Sequence, residues 1–143
     1  MKLFSNWPIY ALGSAFFAGL TVLFGKIGVM NINSNLATFI RTIVVIAMTA
    51  GILFCRHEWQ KPQGIDAKTW AFLILSGIAT GLSWLCYYRA IQLGPISKVA
   101  PVDKLSVALA ILLGVIFLGE KLTWQALLGS GLVIIGAMII VLI

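Results

Sequence analysis

The chain reads as an all-α membrane protein, a bundle of five transmembrane helices, and three features carry that reading. Of its 143 residues, 61% are hydrophobic and only 10% charged, whereas a water-soluble domain carries about a quarter charged residues. A fold this apolar has too little polar surface to cover itself in water. The apolar residues also fall into stretches of about 20, the length needed to cross a hydrocarbon core about 30 Å thick. Between the stretches lie short segments rich in Asn, Gly, Pro and charge, which are turn and loop formers.

The first helix is expected over residues 8–29, with Pro8 in the first turn, where its missing N–H does no harm. Lys2 followed by an apolar run also resembles a secretory signal. However, Leu3 to Gly25 is 23 residues without a charge, longer than the usual apolar core of such a signal, and no small-x-small cleavage site follows, so the segment is expected to be retained. Asn31, Asn33, Ser34 and Asn35 form a short polar loop before helix 2, residues 36–55, which carries Arg41 inside it. The longest polar stretch runs from Arg56 to Lys68 and contains Pro62 and Gly64. Helix 3 follows over residues 69–91, and the Gly94-Pro95 pair turns the chain. Helix 4, residues 97–118, is interrupted by Pro101, Asp103 and Lys104. Gly119, Glu120 and Lys121 connect to an uncharged helix 5, residues 122–143. The rival count of four spans drops helix 4. The 15 uncharged residues from Leu105 to Gly119 are too few to cross without the charged turns before them. All five helices are expected to form one membrane domain over residues 1–143.

The formal net charge of +6 has no Lys/Arg cluster on a polar face behind it, so nucleic acid is excluded as a partner. The charge is instead read as topology and headgroup attraction. Lys2, Arg56, Lys61, Lys68 and Lys121 fall on one side of a five-span chain, and the loops Met30 to Asn35 and Gln92 to Ile96 on the other side hold no Lys or Arg. The positive-inside rule then places the chain in a cytoplasmic (inner) membrane with a cytoplasmic N-terminus. Counting also the cations at the opposite helix ends (Lys26, Arg41, Arg89, Lys98 and Lys104) makes the tally five against five, which leaves insertion in both orientations open.

Nothing in the sequence is enzymatic: there is no Ser/His/Asp set, HExxH or phosphate-binding glycine loop. His57 stands without Cys or Glu at ligand spacing, so it is expected to be a loop residue, and no metal or cofactor is expected. Cys55 and Cys86 are too few for a disulfide framework and are expected as free, buried thiols.

The candidate functional residues are the polar groups within the spans. Five cations and one acid, Asp103, lie at similar depth on four helices, a local sum of +4. Charges within a span are costly and face a cavity or a partner unless they reach the headgroups. Lys26, Arg89 and Lys98 lie near helix ends and have the length to snorkel. Arg41 is about 8 Å deep, and Asp103 and Lys104 about 10 Å, at 1.5 Å per residue. Asp103 is too short to snorkel, so it pairs with a cation or lines water. On helix 3, Gly77, Gly81, Trp84 and Tyr88 share one face, with Ser76, Thr80, Ser83 and Tyr87 on a neighbouring stripe. Gly77 and Gly81 form a GxxxG that admits another backbone. The face serves either helix packing with an interfacial aromatic belt or one wall of a substrate cavity. Pro101, two residues before Asp103, frees backbone carbonyls near the acid.

Two segments carry a resemblance. The run from Arg89 through Gln92, Gly94-Pro95, Lys98, Pro101 and Asp103 to Ser106, and the run from Leu118-Gly-Glu-Lys to Gly129, resemble the helix junctions of EamA-type transporters of the drug/metabolite transporter superfamily. Gly25-Lys26 at the end of helix 1 and Arg41 early in helix 2 agree with the same pattern, so the resemblance covers nearly the whole chain. Many members have ten helices in two inverted five-helix repeats, and this chain resembles one repeat. The resemblance implies transport of a small molecule, such as an amino acid, nucleobase, sugar or drug-like solute, by alternating access. It also implies a homodimer, antiparallel if it rebuilds the two-repeat architecture. It points to Lys26, Arg41, Trp84, Tyr88, Asp103 and Lys104 as substrate-binding residues and to Gly77 and Gly81 in helix packing. Small multidrug exporters of the superfamily use an acid in helix 1, and this sequence has none there. A membrane subunit of a larger complex and a flippase for lipid-linked substrates remain the alternatives.

Overall fold

The computed structural model describes residues 7–60 and 64–142, and among them every regular element is a helix. Lys2, Lys61, Pro62 and Ile143, together with the start of the Leu3 to Gly25 run, lie outside the described residues. The helices are α1 (Trp7–Val29), α2 (Ser34–Cys55), α3 (Ala67–Leu93), α4 (Ile96–Asp103), α5 (Leu105–Leu118) and α6 (Trp124–Leu142). Five stretches are long and apolar enough to cross a membrane, with α4 and α5 together making the fourth, Ile96–Leu118.

Capping chemistry sets where these helices begin, and it moves three starts by two residues. α2 begins at Ser34 because Asn33, in extended backbone, accepts a hydrogen bond from the Asn35 amide at 2.8 Å on its side chain. Ser34 and Asn35, expected in the loop, are therefore its first turn. α3 begins at Ala67 because the Asp66 carboxylate accepts from the Thr69 amide at 3.2 Å and from the Thr69 hydroxyl. Those two hydrogen bonds, the hydroxyl first, hold the Asp66 carboxyl below its ordinary 3.8. α6 starts later than expected, at Trp124, because the Thr123 hydroxyl accepts from the Ala126 amide at 3.2 Å.

The helix ends are equally local. α2 finishes with His57 in the left-handed region at φ 53° and the Glu58 amide donating to the Leu53 carbonyl at 3.1 Å. Such an end satisfies carbonyls that the helix itself cannot. α5 stops at Gly119, at φ 66°, ψ 24°, and the Gly119 and Glu120 amides both donate to the Gly114 carbonyl. Glu120 folds back so closely that a Cβ on Gly114 would lie 2.9 Å from its Oε2. The Leu118-Gly-Glu segment is thus a stop signal whose left-handed residue, Gly119, favours glycine.

Contacts divide the chain into two compact units, residues 24–92 and residues 1–23 with 93–143. In the second unit α4 and α5 both pack on α6. The fourth span breaks at Lys104, whose amide donates to the Pro101 carbonyl at 3.1 Å while its own carbonyl accepts from Val107 at 3.0 Å. Both bonds span three residues, a tighter turn than the regular ladder, while the donor that Pro101 lacks would have served the Ser97 carbonyl within α4. Ala137 is the buried small residue on α6.

Few side chains are buried: Val29, Ala37, Tyr88, Ile91 and Ala137 are the buried hydrophobics among the described residues. Four of these five lie in the 24–92 unit. Large apolar residues such as Phe16, Phe72 and Leu132 are exposed along the helices, as expected when lipid is the solvent. Cys55 and Cys86, expected as buried thiols, are free and exposed. The correction has the same cause: an apolar stretch in a spanning helix faces lipid rather than a protein core.

Gly119→Ala forces a side chain into the left-handed region and is expected to cost about 1 kcal/mol, read by equilibrium unfolding in detergent micelles. The Asp66 cap has an acid limit. Its lowered carboxyl stabilises α3 above the ordinary carboxylate range and loses that contribution as pH falls through the lowered value. In Asp66→Asn, the acid-side loss of α3 protection from hydrogen exchange is expected to disappear.

Candidate functional site

The site is built where α1 and α3 end and α2 begins, all within the 24–92 unit. A helix leaves its last four carbonyls without partners in its own ladder, and each needs a donor from elsewhere. Here two helices supply each other. Lys26 of α1 donates its ammonium to the Ile91 carbonyl in the last turn of α3. Gln92 of α3 donates its amide to the Val29 carbonyl at the end of α1, at 3.0 Å, and to the Ile32 carbonyl in the turn, at 2.9 Å. Arg89 donates to the Gln92 Oε1 at 2.8 Å and so fixes which way that amide points. The Lys26 charge also sits at the negative end of the α3 dipole.

Val29 and Ile91, each at 0% exposure, are sealed beneath these bonds. Gly25 allows the close approach: a Cβ there would lie 3.1 Å from the Tyr88 hydroxyl oxygen and 3.3 Å from its Cζ. On α2, Ser34, Ala37 and Thr38 are buried, and the Thr38 and Thr42 hydroxyls donate to carbonyls of their own helix at 2.9 and 2.8 Å. Small and self-satisfied side chains thus let α2 pack without adding an unpaired polar group.

Against this frame Arg41 lies over the aromatic face of α3. Its Cζ is 3.8 Å from the Trp84 ring centroid and 5.6 Å from that of Tyr88. A guanidinium over an indole is the strongest common cation–π pair, worth about 2 kcal/mol where water is scarce. Tyr88 is buried and Trp84 half-buried, so the rings form a fixed platform.

Of the residues expected to bind substrate, the structure therefore brings Arg41, Trp84 and Tyr88 into one cluster, with Lys26 beside it on the Ile91 carbonyl. Asp103 and Lys104 belong to the other unit, at the break between α4 and α5, with Lys104 Nζ 3.5 Å from Asp103 Oδ2. Beside them a cleft of about 380 Å³ runs between Pro101 and Lys104 on one side and Gly136 and Ala137 on the other. At Gly77 and Gly81 a Cβ would meet nothing within 4 Å. Gln92 and Gly25 belong to the family-like segments, but their packing and capping roles are not readable from the sequence. Gln92 is expected in the loop after helix 3 but lies in the last turn of α3, and only its place near the Gly94-Pro95 turn hints at a capping amide.

The sequence matches the EamA-like transporter family over residues 5–142. The chain belongs to that family. This EamA-like chain is 49% identical to a Sinorhizobium protein described as an uncharacterized transporter in the cobO 3' region, over 135 residues that make up 94% of the chain and 96% of that relative. It is 30% identical to an uncharacterized protein of Methanocaldococcus jannaschii, MJ1333.1, over 99 residues, 67% of the chain and 72% of the relative. No solved structure matches it. Family and fold together make it a multi-pass membrane protein of the transporter class.

Gln92→Leu leaves the Val29 and Ile32 carbonyls unpaired, and Lys26→Met does the same to Ile91. Each substitution is expected to lower stability by about 1–3 kcal/mol, measured by unfolding in micelles, and to raise hydrogen exchange in the last turns of α1 and α3.

Proposed function

We propose that the protein moves a small metabolite across the cytoplasmic membrane by alternating access, working as a dimer. The observation that carries this reading is Arg41 held on the Trp84 and Tyr88 rings, in a chain of a transporter family. A rigid aromatic platform with a fixed charge orients a small solute. Amino acids, nucleobases, sugars and drug-like solutes are the substrate classes in view. Lys26 adds positive charge at the same end. Asp103 and Lys104, at a broken helix, set charge preference and take part in coupling to protons. Discontinuous helices that line binding sites near the middle of the membrane are a recurrent transporter device.

The dimer follows from economy of parts. One copy buries few side chains, and the Gly77 and Gly81 face of α3 has room for a neighbour. A small-xxx-small face is a usual helix-packing surface in membranes. The Sinorhizobium relative is also a short chain, 135 residues being 96% of it. Two copies in opposite orientations restore an inverted repeat, and the charge tally of five against five permits both insertions. In a single orientation the N-terminus is cytoplasmic.

Two experiments test this. Proteoliposomes assayed with labelled amino acids, nucleobases and sugars are expected to show uptake that changes in extent or pH dependence in Asp103→Asn at equal protein level. Unchanged transport would reduce the carboxylate to a structural partner of Lys104. Reporters at the C-terminus, one active only in the cytoplasm and one only outside, are expected to give comparable signals for an antiparallel dimer, and signal on one side alone argues for a parallel assembly.

A further inference from the structure

Arg41 is a charge inside a spanning helix for which the described residues provide a platform but no acceptor. Its contacts are the two rings, and no carbonyl, carboxylate or hydroxyl among the described residues accepts from it. A ring contact of this kind uses the face of the guanidinium and leaves its five N–H donors unused. Residues 24–57 and 67–92 contain no Asp or Glu, so neither α2 nor α3 supplies a carboxylate to Arg41.

The rings that hold the guanidinium lie below the end of α3. The Gln92 hydrogen bonds set the end of α3 level with the α1–α2 turn. Trp84 lies eight residues below Gln92, about 12 Å at 1.5 Å per residue, and Arg41 lies seven residues into α2, about 10 Å. The guanidinium is closer to Trp84 than to Tyr88, the ring nearer the helix end. Side chains on α2 lean toward its N-terminus, here the membrane surface, and snorkelling would carry the charge that way. Here it lies over the deeper ring, with Tyr88 also within reach. Unused donors at such a depth are costly unless water or an anion meets them.

We propose that Arg41, braced by Trp84 and Tyr88, is an oxyanion-recognition site that takes a carboxylate or phosphate group edge-on through two parallel N–H donors. This rests on the same cluster being the substrate site, and it narrows the cargo to molecules bearing such a group. The oxyanion belongs either to a soluble metabolite or to a lipid headgroup, both of which present the same two-oxygen edge.

The test uses the full chain in phosphatidylcholine nanodiscs, titrated with benzoate and, at matched ionic strength, with benzamide, following tryptophan fluorescence and thermal stability. Benzoate is expected to bind and benzamide not. Arg41→Lys keeps the charge but not the paired donors and is expected to weaken benzoate by about tenfold or more, while Arg41→Gln abolishes the effect. A second arm uses phosphatidylglycerol-enriched discs and native mass spectrometry. Benzoate binding that persists there identifies a soluble anion. Benzoate binding that is lost, with phosphatidylglycerol retained by the wild type and not by Arg41→Gln, identifies a headgroup. No benzoate preference together with no Arg41-dependent lipid retention would overturn the proposal. Both readouts are of binding, so oxyanion binding without solute uptake sinks only the transport reading, and uptake that survives in Arg41→Gln sinks only the oxyanion site.

Discussion

A backbone carbonyl at a helix end has no partner within its own helix, and the 24–92 unit is organised around that constraint. α1 and α3 finish at the same level and exchange side chains, Lys26 to Ile91 and Gln92 to Val29 and Ile32. Burying Val29 and Ile91 contributes little by transfer from lipid, because lipid tails are as apolar as the side chains themselves. Polar bonds at the helix ends, together with close packing at Gly25, set the register of the two helices. Everything the unit displays, including the height of Trp84 and Tyr88 on α3, follows from that register.

The aromatic platform and the charge on it are a consequence of the same geometry. Tyr88 is buried because Gly25 lets α1 come within contact of its ring. With Tyr88 held, Trp84 one turn below presents its face to α2, and Arg41 is close enough to settle on it. Cation–π attraction offsets part of the cost of a charge within a span while leaving the directional donors unused. The result is a cationic group held in place before any ligand arrives, the condition under which binding loses least to ordering.

The other unit solves the backbone problem by breaking a helix rather than capping one. Pro101 leaves one carbonyl of α4 without its regular donor, and three-residue bonds at Lys104 join α4 to α5. Asp103 and Lys104 fall at that break and pair with each other. At its far end α5 stops on Gly119, and Glu120 folds back over Gly114. The same few residues that look like a family motif in the sequence are, in the fold, the start and stop signals of a discontinuous span.

Span number, the broken fourth helix and the loop positions were legible in the sequence, because hydrocarbon thickness and proline geometry act locally and need no knowledge of neighbours. Helix starts were off by two residues at Ser34, Ala67 and Trp124, since a single capping side chain, Asn33, Asp66 or Thr123, decides each. The charged and aromatic residues of the site were also visible as candidates, since ionisable groups within spans are rare. Their grouping was not. That Arg41 meets Trp84, that Lys26 serves a carbonyl on α3, and that Gln92 is a structural keystone depend on helices distant in the chain arriving at one level. Residue type and spacing along one helix say what it can bind. Which partner it meets is decided by the register between helices, and that exists only in the tertiary structure.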